Sequence, residues 1–232
     1  MKLARINKIL EGYLSAIETG QFPTVRLSLA IDRFKEHWSF EKGDFRSVFE
    51  RAVDNEIFKV FNPDRTITPK DVMIKMIEKN PVAIRQMFLD LLYERVDLES
   101  RVEHFMLECD ANFKPLTQEV GNPFRNHFHD HIDQISVYLT LRYPKKYGLM
   151  NYESLSSFLR FVQARVLPER NEYARLFNLM SVLGKIIMRD DKLCDLLEQK
   201  HSILLEYPEI MATDVLIYFA NEYDQMGDLA DP

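Results

Sequence analysis

The sequence predicts an all-α protein, a bundle or orthogonal array of about nine to eleven helices. Apolar residues recur at helical spacing along most of the 232 residues, and only 7 residues are glycine. Sheets and barrels, by contrast, use glycine in turns and bulges. Helix-start pairs such as Thr68-Pro69 and Asn80-Pro81 separate the periodic stretches. Hydrophobic residues make up 46% and charged residues 28% of the chain, which is typical of a folded globular protein.

The first helices are predicted from their apolar spacing and their end residues. An amphipathic helix is expected over residues 2–19, where Gly20 is a good terminator. A second helix is expected up to His37, and Asp44 can cap a third. The short apolar stretch Ile57–Phe61 (IFKVF) is the one strand-like piece. We therefore expect at most one short β-hairpin, near residues 57–68.

Further helices are expected to follow these in one domain that covers residues 1–232. From Val82 the apolar pattern continues to Met106, as one long helix or as two with a break near Asp97. Prolines and a glycine interrupt the pattern in 111–123, so a boundary between subdomains would fall in that loop. The remaining helices are expected to start at Asn126, Asn151, Pro168, Asp190 or Asp191, and Thr213.

Cysteine use and hydropathy indicate the compartment. Cys109 and Cys194 lie in apolar helical patterns without a CxxC pair, which predicts buried reduced thiols and a cytoplasmic protein. The N-terminal segment lacks the uninterrupted apolar core of a signal peptide. No apolar run approaches the ~18 residues that span a bilayer. We expect no membrane partner and, because no nucleotide-binding or hydrolase motif occurs, no cofactor.

The net charge of −6, from 36 acidic and 30 basic residues, disfavours nucleic acid as a partner. Affinity for phosphates comes largely from lysine and arginine, which displace counterions. An acidic total still permits a local basic patch. The residues that would form one are Arg142, Lys145 and Lys146.

The stretch NHFHDHID, residues 126–133, contains three histidines and two aspartates. In a strand, His127, His129 and His131 would share one face, whereas in a helix only His127 and His131 would stack, at i and i+4. Apolar residues at helical spacing favour the helix, with Asn126 as its N-cap. The residues that form this apolar stripe are Phe128, Ile132, Ile135 and Leu139.

Besides a genuine interaction surface, three interpretations of these histidines stay open. The favoured one is a polar, partly exposed helix face, on which His127 and His131 could hold an adventitious metal ion. A metallo-β-lactamase-type site is disfavoured because the spacing is one residue short and that family needs glycine-rich β layers.

The other enzyme interpretation is an HD-type phosphohydrolase, an all-helical class with a bound metal. His129-Asp130 would be the catalytic pair, with His104 upstream and Asp190 or Asp191 downstream as further metal ligands. We expect that His129-Asp130 does not face His104.

Two segments of the chain resemble a known protein family. They are MFLDLLYERVDLESRVEHF (residues 87–105) and DQISVYLTLRYPKKYGLMNYESLSSFL (residues 133–159). They resemble the non-ATPase helical region of methylcytosine-restriction-type (McrB-like) AAA+ defence proteins, over about residues 85–160. The resemblance implies a bacterial restriction or phage-defence system, with DNA or another subunit as the usual partner. Because the chain has no Walker A motif, we expect it not to hydrolyse nucleotides. The matching positions are Leu91, Leu92, Glu94, Leu98, Arg101, Phe105, Ile135, Ser136, Tyr138, Leu139, Arg142, Tyr143, Pro144, Lys146 and Tyr147.

Together these observations favour a non-catalytic interaction or adaptor module, with a protein as partner. Two alternatives are an HD-like metal-dependent phosphohydrolase and a DNA-binding module that uses the basic patch.

Overall fold

A computed structural model describes residues 1–20, 27–41, 43–60, 64–201 and 205–222. These residues form eleven α-helices and no β-strand, which confirms the predicted all-α class. The helices are α1 (Leu3–Thr19), α2 (Leu27–His37), α3 (Phe45–Ala52), α4 (Pro69–Lys79), α5 (Pro81–Leu92), α6 (Leu98–Thr117), α7 (Ile132–Arg142), α8 (Tyr152–Phe161), α9 (Tyr173–Ile187), α10 (Asp191–His201) and α11 (Pro208–Glu222). Within the described ranges, none of the helices combines the length and the apolar character needed to cross a bilayer.

The chain divides into two compact units. The terminal unit comprises Met1–Arg26 and Pro144–Pro232, and the central unit comprises Leu27–Tyr143. The segment 111–123, where the sequence suggests a boundary, lies inside the central unit, and its first part belongs to α6.

The terminal unit is built around α11, whose residues 209–219 are all buried. α11 packs against α9, α8 and α1. Its contact with α9 is close at Gly184, where an added Cβ would lie 2.2 Å from the carbonyl oxygen of Pro208. A glycine is needed there because no side chain fits between the two backbones.

The central unit encloses an aromatic core. The ring of Phe88 on α5 lies 5.4 Å from that of Trp38, 5.3 Å from that of Phe105 and 4.9 Å from that of Tyr138. Phe88, Phe105 and Tyr138 are fully buried. This cluster connects α5, α6 and α7, and the histidine stretch packs against it.

Several predicted helix ends are confirmed because local caps determine them. Gly20 ends α1 in a left-handed conformation with a φ of 69°. Asp97 separates α5 from α6, and its carboxylate accepts a hydrogen bond from the backbone N–H of Ser100. Thr68 and Asp71 form a reciprocal capping box at the start of α4.

Other local predictions are wrong. The strand-like interpretation of Ile57–Phe61 is wrong in its described part, since Glu56–Lys59 is a short 3-10 helix with Ile57 and Phe58 buried. The described residues of 57–68 form no hairpin, which agrees with the expectation of at most one; residues 61–63 lie outside the described residues. Pro168 does not open a helix, because α9 begins at Tyr173. Thr213 lies inside α11 rather than at its start, and its hydroxyl bonds the carbonyl oxygen of Leu149.

Candidate functional site

The histidine stretch is a loop, so the helix predicted from Asn126 onwards is wrong. α7 begins only at Ile132, with His131 at the N-cap position. Phe128 has a φ of 63°, and its N–H donates to the side-chain oxygen of Asn126 at 3.2 Å. Such bonds between a polar side chain and the nearby backbone compete with helix formation. They place His127 and His129, rather than His127 and His131, side by side.

The two buried histidines stack against each other and against the core. The rings of His127 and His129 are nearly parallel, with centroids 6.1 Å apart. His129 is fully buried, whereas His127 is 6% exposed. His131 is half exposed and lies 3.6 Å from the carboxylate of Asp130. The i, i+4 geometry that would let His127 and His131 share an adventitious metal ion is therefore not formed.

A chain of hydrogen bonds fixes the tautomers of both histidines. The Nδ1 of His129 lies 2.5 Å from the carbonyl oxygen of His127, which can only accept, so Nδ1 carries the proton. The Nε2 of His129 then accepts from the hydroxyl of Tyr138 at 2.9 Å. In His127, Nδ1 accepts from the backbone N–H of His129 at 3.0 Å, and Nε2–H donates to the carboxylate of Asp110 at 2.9 Å.

Burial sets the protonation state of this network. Desolvation, and secondarily the neighbouring His127, lowers the pKa of His129 to about 3. Burial also raises the pKa of the Tyr138 hydroxyl well above its usual value. At neutral pH His129 is therefore an uncharged imidazole and Tyr138 a neutral phenol, in agreement with the hydrogen bond between them.

Cys109 on α6 completes a cluster of metal-ligating side chains. Its Sγ and one ring nitrogen each of His127 and His129 lie within 4.8 Å of one another, and all three residues are buried. The Sδ of Met87 lies 3.7 Å from this Sγ. Both cysteines are free thiols, as predicted, although Cys194 is only partly buried. Cys109 is not predictable as a site residue from the sequence, because its only local feature is an apolar helical setting.

Within the central unit, the residues of the HD-type interpretation are not brought together. His104 lies half exposed on α6, 3.6 Å from the carboxylate of Asp90, and Asp130 is also mostly exposed. Asp190 belongs to the terminal unit. In the part of the chain that the structure describes, His104, His129 and Asp130 do not form a group with ligand atoms within 4.8 Å.

The candidate basic residues are all exposed. The guanidinium of Arg142 lies 5.5 Å from the ring centroid of Tyr143, and the ammonium of Lys146 lies 5.3 Å from that of Tyr147. Lys145 is exposed as well. Their contact with nucleic acid stays a prediction.

A groove lies in the central unit where α5 turns into α6. Its volume is about 630 Å³. Two large apolar side chains in its lining are exposed, Tyr93 by 47% and Val96 by 58%. The guanidinium of Arg95 lies over the Tyr93 ring at 5.4 Å. The other lining residues are Gln86, Leu89, Asp90, Ser100, Arg101 and His104.

Comparison with known proteins assigns no relative. No protein-family model matches the chain, and no significant match was found among curated proteins or solved structures. The function is therefore inferred from the geometry of the groove and of the histidine cluster.

Proposed function

We propose that this protein is a non-catalytic interaction module that binds a partner protein in the α5–α6 groove. The main observation behind the proposal is that Tyr93 and Val96 are both exposed in the lining of the same groove. Tyrosine is enriched at protein interfaces because it buries a large apolar ring while its hydroxyl bonds a partner. An apolar patch in a groove of this kind is typical of a docking site.

The groove's chemistry favours one kind of occupant, a segment with an apolar side chain next to a carboxylate. The apolar side chain would fill the space against Leu89, Tyr93 and Val96. Arg95 and His104 line the same groove and would face the carboxylate. The carboxylate of Asp90 also lines the groove, 3.6 Å from Nε2 of His104, and offsets part of the positive charge of Arg95.

The histidine stretch supports the non-catalytic part of the proposal. Each ring nitrogen of His127 and His129 is engaged by a protein group, and both rings lie beneath the surface. The aspartate of the His-Asp pair, Asp130, is turned to solvent. A hydrolytic site would need both groups to converge on one cavity.

The partner is proposed to be another subunit of a bacterial restriction or phage-defence system. This part rests on the resemblance of residues 87–105 to McrB-like helical regions. That segment supplies most of the groove, because the lining residues fall between Gln86 and His104.

Site-specific cross-linking tests the proposal. A photoreactive amino acid is placed at Val96 and, as a control, at Val82, which is 79% exposed at the start of α5 and does not line the groove. We expect a partner that cross-links from position 96 and not from position 82. The partner is then purified, and its affinity is measured by calorimetry.

The affinity measurement distinguishes binding in the groove from nonspecific binding. Val96→Asp and Tyr93→Asp should each weaken the complex by at least about tenfold, or ~1.4 kcal/mol. Val82→Asp should leave it unchanged. Equal affinity of all variants for the purified partner would refute the groove as the binding site.

The exposure of Arg142, Lys145 and Lys146 keeps DNA as the second candidate partner. A gel shift at ~50 mM salt tests it, because phosphate contacts are strongest at low ionic strength. A shift that is lost when these three residues are changed to glutamine would favour DNA. No shift would leave protein partners.

A further inference from the structure

The cluster under the histidine loop has the composition of a transition-metal site. We propose that Cys109, His127 and His129 bind one thiophilic metal ion, Zn²⁺ or Cu⁺, which links α6 to the loop that precedes α7. The three ligands come from two segments that approach each other only in the folded chain. The site is independent of the groove.

The donor set selects this class of ion. A cysteine thiolate with two neutral imidazoles binds zinc in tetrahedral sites, and soft sulfur donors also bind Cu⁺. Ideal bond lengths would place the ligand atoms about 3.4–3.6 Å apart. Since they lie within 4.8 Å of one another here, closure around an ion requires the ligand atoms to approach one another by about 1 Å.

The hydrogen bonds around both histidines have the pattern of a metal site. A ligating histidine usually donates its second N–H to a carboxylate or a backbone carbonyl, which orients the ring. His127 donates to the carboxylate of Asp110, and His129 donates to the carbonyl oxygen of His127. Each ring thereby has one unprotonated nitrogen as a potential ligand atom. A metal ion would displace the hydrogen bond that this nitrogen now accepts, from the backbone N–H of His129 at Nδ1 of His127 and from the Tyr138 hydroxyl at Nε2 of His129.

Two further side chains with potential metal-ligand atoms border the cluster. The Tyr138 hydroxyl lies 2.9 Å from Nε2 of His129, and the Met87 thioether lies 3.7 Å from Sγ of Cys109. The thioether adds a second soft donor and favours Cu⁺ within the class. Asp110 is 65% exposed and bonds directly to His127, which connects the buried cluster to the surface.

A buried histidine pair held only by hydrogen bonds is the competing explanation, and it assigns no role to the thiol. Titration of the full-length protein separates the two. The protein is prepared without a histidine tag, under reducing conditions and with a chelator that is then removed. Co²⁺, Zn²⁺ and Cu⁺ are the probes. We expect one equivalent of Co²⁺ to produce a thiolate-to-cobalt charge-transfer band, which Zn²⁺ then abolishes by displacement.

Matched variants locate the ion. Cys109→Ser should abolish the charge-transfer band and weaken Zn²⁺ binding more than about 100-fold. Cys194→Ser and His131→Gln, which change the other cysteine and the exposed histidine, should bind as the wild type does. Should Cys109→Ser lose its helical circular dichroism, the exposed Asp110→Asn variant serves instead. Its expected effect is about 10–100-fold weaker binding, since it removes the acceptor that orients His127.

Three results would overturn the proposal. The first is the absence of stoichiometric binding of any of the three ions to the wild type. The second is a charge-transfer band that persists in Cys109→Ser. The third is binding that is lost in His131→Gln, which would indicate an adventitious surface ion.

Discussion

Replacement of Tyr138 by phenylalanine is predicted to destabilise the metal-free central unit by about 2 kcal/mol. The phenylalanine ring keeps the packing against Phe88 but removes the hydroxyl that donates to Nε2 of His129. Both residues are fully buried, so solvent does not replace the lost donor. The figure combines the net value of one hydrogen bond with the cost of one unsatisfied buried acceptor. It corresponds to about a 30-fold change in the unfolding equilibrium.

Urea unfolding followed by Trp38 fluorescence measures this change. Trp38 is the single tryptophan, and its ring contacts that of Phe88, which in turn contacts that of Tyr138. Tyr93→Phe is the matched control, because the Tyr93 side chain is 47% exposed; its effect should stay within about 0.5 kcal/mol. If Tyr138→Phe also shifts the free energy of unfolding by less than about 0.5 kcal/mol, the assigned hydrogen bond and tautomer are wrong.

Three further predictions concern local features. Thr68→Ala should lower the free energy of unfolding by about 1 kcal/mol because it removes the capping box of α4, and Thr68→Ser, measured in the same urea titration, should restore most of it. Gly184→Ala should destabilise the terminal unit by about 1–2 kcal/mol, since its Cβ would overlap the carbonyl oxygen of Pro208; an unchanged or higher melting temperature by circular dichroism would contradict this close approach. Hydrogen bonds from the Ser100 backbone and side chain lower the pKa of Asp97. A lowered carboxyl pKa stabilises the fold above the unfolded-state value and loses that effect as pH falls through the folded value, so the stability gap between wild type and Asp97→Asn should narrow in acid and stay constant near neutral pH.

Local interactions explain why much of the fold could be predicted from the sequence. The caps Asp44, Asn80 and Asn151 each accept a hydrogen bond from the backbone N–H three residues later. A cap and the apolar residues of the next few turns lie within one short stretch of chain, so the pattern predicts where these helices begin. The all-α class follows from the same local periodicity.

Helix starts that depend on burial were not predictable in this way. α11 begins at Pro208 rather than at Thr213, and its residues 209–219 are all buried, including the polar Glu209, Thr213 and Asp214. A helix that is buried on every side shows no amphipathic period from which its start could be predicted. Pro168 has the features of a helix start, but α9 begins only at Tyr173.

The geometry of the histidine stretch depends on the packing of the folded chain. Its composition marked it as a candidate site, and the apolar residues beside it predicted a helix. In the fold, His129 instead enters the core to reach Tyr138, and Phe128 adopts a positive φ that interrupts the helix. Cys109 joins the cluster from α6. The local sequence pattern does not predict that Cys109 lies beside His127 and His129. The hydrogen bonds and the burial that stabilise this cluster form only when α6 and the segment around α7 come together in the fold.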